Sequence, residues 1–126
     1  MWIDPRARSG QKAMMLVYKI LRRPEWDALC DAGQISGAPV DIADGYVHFS
    51  TAGQVVETVA KHFGADSDLV LLAIDTARLG PDLRWEPSRG GALFPHLYRD
   101  LRMSDVVWDK SLPLGAAGHI FPEGVV

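Results

Sequence analysis

The sequence predicts an α+β domain, with two helices early and a run of strands after them. Three observations carry that expectation. LVYKILR (16–22) alternates apolar and polar residues, and LVLLAID (69–75) is a continuous apolar run of strand length. Helix-start signals stand at Pro24 and at Thr51, each followed by an apolar stripe. Most of the chain beyond residue 68 is strand-like, so helices and strands are segregated, not alternating in β–α units.

In chain order, the first strand places Val17, Lys19 and Leu21 on one face and Tyr18 and Ile20 on the other. Pro24 suits a first helical turn because its missing N–H has no helical partner there. EWDALCDAG then continues to a glycine stop at Gly33. Trp26, Leu29 and Cys30 recur at helical spacing, so Cys30 is expected in the core as a small hydrophobe. QISGAPVDIADG (34–45) is turn-rich and reads as loop.

A strand over Tyr46 to Ser50 comes next. Thr51 with Gln54 then makes a capping box for a helix that reaches Gly64, with Val55, Val56, Val59, Ala60 and Phe63 as its stripe. His62 falls off that stripe and reads as solvated. LVLLAID reads as a strand covered on both faces. LRWEP (83–87) is a further strand closed by SRGG. FPHLYRDLRM (94–103) resists assignment, because Pro95 argues against helix interior and central strand alike. VVWDKSLPL (106–114) reads as a last or edge strand, and the tail as irregular. Residues 1–14 read as a loose extension, with the natural start expected at Met14 or Met15. The domain spans 15–115 and the tail 116–126.

At 126 residues this is one ordinary domain, large enough to need no disulfide or metal for stability. No apolar run approaches the roughly 20 residues that span a bilayer, so no membrane role is expected. A single cysteine excludes an internal disulfide framework and suggests a reduced, cytoplasmic protein. A net charge of −3 argues against extended nucleic-acid binding. Nine of the thirteen basic residues are arginine, and Arg84, Arg89, Arg99 and Arg102 fall in one short window. Arginine forks suit phosphate and carboxylate, which leaves a small anionic ligand open. The sequence does not determine the oligomeric state; a monomer is favoured.

Two stretches could carry chemistry. In DGYVHFST (44–51), Val47 and Phe49 share one strand face, while Tyr46, His48 and Ser50 share the other. That second face offers a phenol, an imidazole and a hydroxyl beside a helix N-terminus, an end that favours negative charge. A solvent-facing histidine bonded to a neighbour is the plainer reading. In RWEPSRGGALFPHLY (84–98), Arg84 and Glu86 share a face, SRGG is an amide-rich turn, and Phe94, His96 and Tyr98 add aromatic surface and a second imidazole. An ion pair, a turn and an aromatic cluster are the plainer reading here. His48, His96 and Glu86 could form a two-histidine, one-carboxylate site, but no ligand pair of metal spacing is present and no metal is expected. Nucleophile-elbow, dinucleotide-fold and P-loop motifs are missing from the sequence.

YKIL with a following EW, then DGYVHFST, LVLLAID and WEPSRGGALFPHLY, together resemble the family called domain of unknown function 952, over about Leu16 to Leu114. That family looks like a compact relative of the ADP-ribosyltransferase fold, and VHFS is similar to the VHLS strand of NAD-using RNA 2′-phosphotransferases. The resemblance implies an ADP-ribosylation-like split, bent β-sheet core with two or three short helices, and NAD in the cleft between its halves. It implies that His48 and Ser50 hold the nicotinamide-ribose end and that Glu86 bonds a ribose hydroxyl or stabilises developing charge, making His48 and Glu86 the catalytic pair. It implies Arg89 and His96 on phosphate, Tyr46 or Tyr98 stacked on a ring, and Lys19 near the cofactor. The chain has no room for the RNA-binding lobe of the phosphotransferases, so RNA is not the expected substrate. ADP-ribosyl transfer or NAD glycohydrolysis, a non-catalytic nucleotide binder, and a protein-interaction role on the same fold are the readings left open.

Overall fold

The computed structural model describes residues 14–125, with the side chain of Arg89 excepted. The expected extension over residues 1–14 lies outside the described residues except for Met14. The elements are β1 (Leu16–Leu21), α1 (Arg23–Ala32), β2 (Gln34–Ile35), α2 (Pro39–Asp44), β3 (Val47–His48), α3 (Ala52–His62) and β4 (Leu69–Asp75). After them come α4 (Thr76–Leu79), β5 (Leu83–Pro87), β6 (Leu93–Leu97), β7 (Leu101–Arg102), β8 (Val106–Leu112), β9 (Leu114–Gly115) and β10 (Gly118–His119). The chain is therefore mixed α and β with antiparallel sheets. Among the described residues, two three-stranded sheets run β1–β4–β8 and β3–β6–β5, and β2–β7 and β9–β10 form two small pairs.

β4 is central and covered on both faces, which explains its unbroken apolar sequence. Val70, Leu72 and Ile74 enter one core with Val17, Leu21, Leu29, Val47 and Phe49. Leu69, Leu71 and Ala73 enter a second with Tyr18, Ile20, Val55 and Val59. The expected alternation of β1 thus distributes its two faces between two cores. Only Val55 and Val59 of α3 are fully buried, while Val56 is exposed, so the helix packs on a narrower stripe than its sequence suggests. β8 is an edge strand, as its sequence suggests.

Three local expectations differ from the structure. Cys30 is exposed, because α1 turns Leu29 into the core and leaves Cys30 on the solvent side. Desolvation, then the charges of Asp27, Asp109 and Asp31, raises the pKa of its thiol. Residues 34–45 are not all loop: β2 and the six-residue α2 lie within them. Pro39 at the start of α2 and the left-handed Gly45 (φ 90°) at its end are its local signals. The tail is not wholly irregular: β10 lies in it and pairs with β9 just before it, and Val125 packs into the second core.

Pro95 lies in the middle of β6, itself the central strand of its sheet. Toward β5 it sits opposite Trp85. Toward β3 its carbonyl accepts the Phe49 N–H at 3.0 Å, but the ring has no N–H to return. The β3–β6 ladder therefore stops there. The chain crosses to the other sheet instead, where Ser50 and Tyr18 exchange N–H···O bonds of 2.7 and 2.9 Å. Residues 47–50 thus stitch the two sheets edge to edge.

Candidate functional site

A cleft of about 530 Å³ lies where that crossing segment joins the two sheets. β1 contributes Tyr18, Lys19 and Ile20, the crossing segment His48, Phe49 and Ser50, and β6 Phe94 and His96. Residues of α2 and α3, with Arg22 and Ser88, complete its rim. Val47 and Phe49 turn into the core, so His48 and Ser50 are left facing the other way, as strand alternation requires.

The ladder pairs His48 with His96. Their rings lie 5.3 Å apart, and Tyr46 packs against both, 4.6 Å from His48 and 4.2 Å from His96. Tyr98 joins the group 5.2 Å from Tyr46. Both ring nitrogens of His48 face carboxylates. Nδ1 lies 2.6 Å from Asp41 Oδ1, and Nε2 3.0 Å from Asp44 Oδ2. Ser50 is buried and shares a 2.8 Å hydroxyl bond with Thr58 of α3.

Behind His48 is a buried carboxylate. Asp41 is 0% exposed, and donors converge on both its oxygens. The His48 N–H and ring bond Oδ1, while Lys19 Nζ, at 2.8 Å, and the Ala38 N–H, at 2.7 Å, bond Oδ2. Burial pushes the pKa of Asp41 up, but the bond from His48, the charge of Lys19 and the remaining donors outweigh it and hold the pKa at about 2. Lys19, itself only 5% exposed, also donates to the His48 carbonyl at 3.0 Å. One anion thus fixes both the ring and the backbone of His48.

Glu86 does not line the cleft. Its Oε1 accepts the Tyr98 hydroxyl at 2.7 Å and lies 2.8 Å from His96 Nδ1, so it stands one hydrogen bond behind the wall. The Tyr98 bond first, then the His96 bond, lowers the pKa of Glu86. In Tyr98→Phe, the carboxyl pKa of Glu86 is expected to move back toward the ordinary glutamate value, read by carboxyl-carbon NMR titration; an unchanged titration would contradict this account. Tyr46 and Tyr98 border a smaller hollow of about 260 Å³, not the main cleft.

Of the arginine window, Arg84, Arg99 and Arg102 do not line the cleft. Arg84 stacks on Tyr98 at 4.7 Å, and Arg99 forks onto Asp105 with bonds of 2.9 and 3.0 Å. The side chain of Arg89 lies outside the described residues. Arg22, on the cleft rim, pairs with Asp66 at 3.0 Å. His62, read as solvated, is exposed and also borders the cleft. His119 lies 2.7 Å from the Asp66 carbonyl. Among the described residues no three metal-ligating side chains are grouped to hold an ion, and no helix is long and apolar enough to cross a membrane.

A profile of the family described as Protein of unknown function (DUF952) matches residues 20–109. The chain belongs to the DUF952 family. Among solved structures, the crystal structure of protein CC0527 from Caulobacter crescentus shares 52% sequence identity, with 82% of this chain and 91% of that chain covered and a TM-score of 0.79. The solution NMR structure of CC0527 shares 52% identity, with 84% and 91% covered and a TM-score of 0.75. No curated protein matches the chain.

In this DUF952 chain, then, His48, Ser50, His96 and Lys19 border one cleft, and Glu86, Tyr46 and Tyr98 stand behind it. Asp41 was missed. Its only local signal is its place three residues into α2, where a carboxylate favours the first turn; nothing local points to Lys19, 22 residues away.

Proposed function

We propose that the cleft of this DUF952 domain binds a ligand of the NAD or ADP-ribose class on an ADP-ribosyltransferase-like scaffold, with ADP-ribosyl transfer or NAD glycohydrolysis as its chemistry. The observation that supports this reading best is the crossing segment, which places His48 and Ser50 on the wall of a cleft at the junction of two sheets. The volume lies within the ~300–1,000 Å³ of small-molecule sites. The donor set fits the ribose end of such a ligand better than its phosphates, since Lys19 and Arg22 are already paired within the protein.

When bound, NAD supplies a ribose–nicotinamide bond that can be cleaved. The chain's own part is positioning: Asp41 and Asp44 hold the His48 ring, and Thr58 holds the Ser50 hydroxyl. Glu86 acts through His96 as a positioning residue. A second reading, binding without turnover, is favoured by one observation: Glu86 does not reach the cleft.

Thermal unfolding with millimolar NAD, ADP-ribose or nicotinamide, together with an assay of nicotinamide release, tests both. A ligand at one hundred times its Kd stabilises by about 2.7 kcal/mol, a readily measured rise in Tm. His48→Ala, which removes part of the cleft wall and a partner of Asp41, should lessen that rise. Stabilisation without nicotinamide release selects the binder, and no shift with any of the three ligands refutes both readings.

A further inference from the structure

We infer that His96, not His48, is the imidazole that meets the ligand, and that it does so as a hydrogen-bond acceptor through Nε2. The inner wall of the cleft then selects a neutral donor group, a hydroxyl or a carboxamide N–H, over a phosphate. The inference deepens the nucleotide reading and rests on it for the source of that donor, a ribose hydroxyl or the nicotinamide amide.

Both ring nitrogens of His48 already face carboxylates of the protein, Nδ1 at 2.6 Å from Asp41 and Nε2 at 3.0 Å from Asp44. His96 differs. Its Nδ1 is bound to Glu86 at 2.8 Å, whereas its Nε2 is buried and has no hydrogen-bond partner among the described residues. The side chain is 2% exposed at the residue level and borders the cleft. Buried polar atoms without partners are rare in folded proteins, and each one calls for a cause.

Polarity follows from Glu86. An ionised carboxylate only accepts, so the proton of the His96–Glu86 bond lies on Nδ1, and an imidazole with that single proton carries its lone pair on Nε2. Glu86 also accepts the Tyr98 hydroxyl, which fixes the carboxylate and through it the ring. The Tyr46 ring packs against that of His96 with centroids 4.2 Å apart. An ionised phosphate carries only acceptor oxygens and could not satisfy that lone pair. The phosphate contact that family resemblance implies for His96 is therefore replaced by a contact to a donor.

The test combines ring-nitrogen NMR of labelled protein with thermal and affinity measurements. In the free protein, His96 is expected as the Nδ1–H tautomer with Nε2 unprotonated; the reverse tautomer, or a doubly protonated ring at neutral pH, overturns the inference whatever binds. ADP-ribose, free ribose and nicotinamide are then titrated, with dimethyl phosphate, an ionised diester that has no O–H or N–H, as the donor-free control. At least one of the first three should shift Nε2 while dimethyl phosphate does not. His96→Phe gives up the Nδ1–Glu86 bond but also removes the unpartnered Nε2, so the two effects oppose and its melting temperature should stay close to that of the parent. It should nevertheless bind the same ligand at least about tenfold more weakly, roughly 1.4 kcal/mol. Glu86→Gln should fold, loosen the tautomer preference and weaken the same ligand.

Failures separate cleanly. If ADP-ribose stabilises the parent and His96→Phe equally, the inference falls and the nucleotide reading stands. If ribose or nicotinamide binds through His96 while NAD and ADP-ribose do not bind, the inference stands and the dinucleotide ligand falls. A shift of Nε2 by none of the three donors, or by dimethyl phosphate alone, overturns the inference.

Discussion

Asp41→Asn is expected to destabilise the protein by about 3–5 kcal/mol, the cost of removing one partner of a buried ion pair. All four groups around Asp41 are donors, two on each oxygen. Asparagine offers one acceptor and one donor, so its amide nitrogen must face two donors whichever way it turns. Lys19 is left buried beside a neutral group. Chemical denaturation measures the loss, and Lys19→Met added to Asp41→Asn should recover part of it, as coupled partners do. A single variant within 1 kcal/mol of the parent would show that the pair does not hold this half of the domain.

The same carboxylate sets a pH dependence. The folded pKa of Asp41, about 2, lies below its ordinary value of 3.8, so its contribution is present above pH 4 and is lost as pH falls toward 2. That contribution is about 2 kcal/mol. It is smaller than the mutational loss because a protonated carboxyl still offers Lys19 an oxygen. The parent should lose this increment between pH 4 and pH 2, and Asp41→Asn should not, so the two acid-unfolding curves converge.

Gly37→Ala is expected to cost about 2–4 kcal/mol, for two reasons that act together. Gly37 has φ +116°, a backbone region that side-chain-bearing residues rarely adopt, and an added Cβ would lie 2.5 Å from both Cβ and Oδ2 of Asp41. The clash falls on the group that anchors His48, so the His48 ring resonances should move as well. Gly33 supplies the comparison. Its φ is +80°, but an added Cβ there meets nothing within 4 Å, so Gly33→Ala carries the backbone cost alone, about 1 kcal/mol. Equal losses at the two glycines would show that contact with Asp41 contributes nothing.

Much of the fold was legible because it is local. Alternation separated Val47 and Phe49 from His48 and Ser50, and the apolar run of β4 declared a strand covered twice. Gly33 closes α1 in the left-handed conformation that the sequence suggests. Where the reading failed, the deciding contact was distant. The exposure of Cys30 depends on which side of α1 meets the sheet, and two neighbouring apolar positions do not distinguish those sides. α2 is too short for its periodicity to stand out from a loop.

The sequence by itself determined the α+β class, the principal strands and longer helices, and the polar face that carries His48 and Ser50. The tertiary structure alone decided what that face meets. It made Pro95 the point at which one sheet releases a strand to the other, buried Asp41 against Lys19, and set Glu86 behind His96, outside the cleft. The physical reason is that periodicity reports which way a side chain faces, whereas a partner depends on pairing between segments far apart in the chain. Ladder pairing puts His48 beside His96, and hydrogen bonding alone leaves the second of them with a nitrogen to spare.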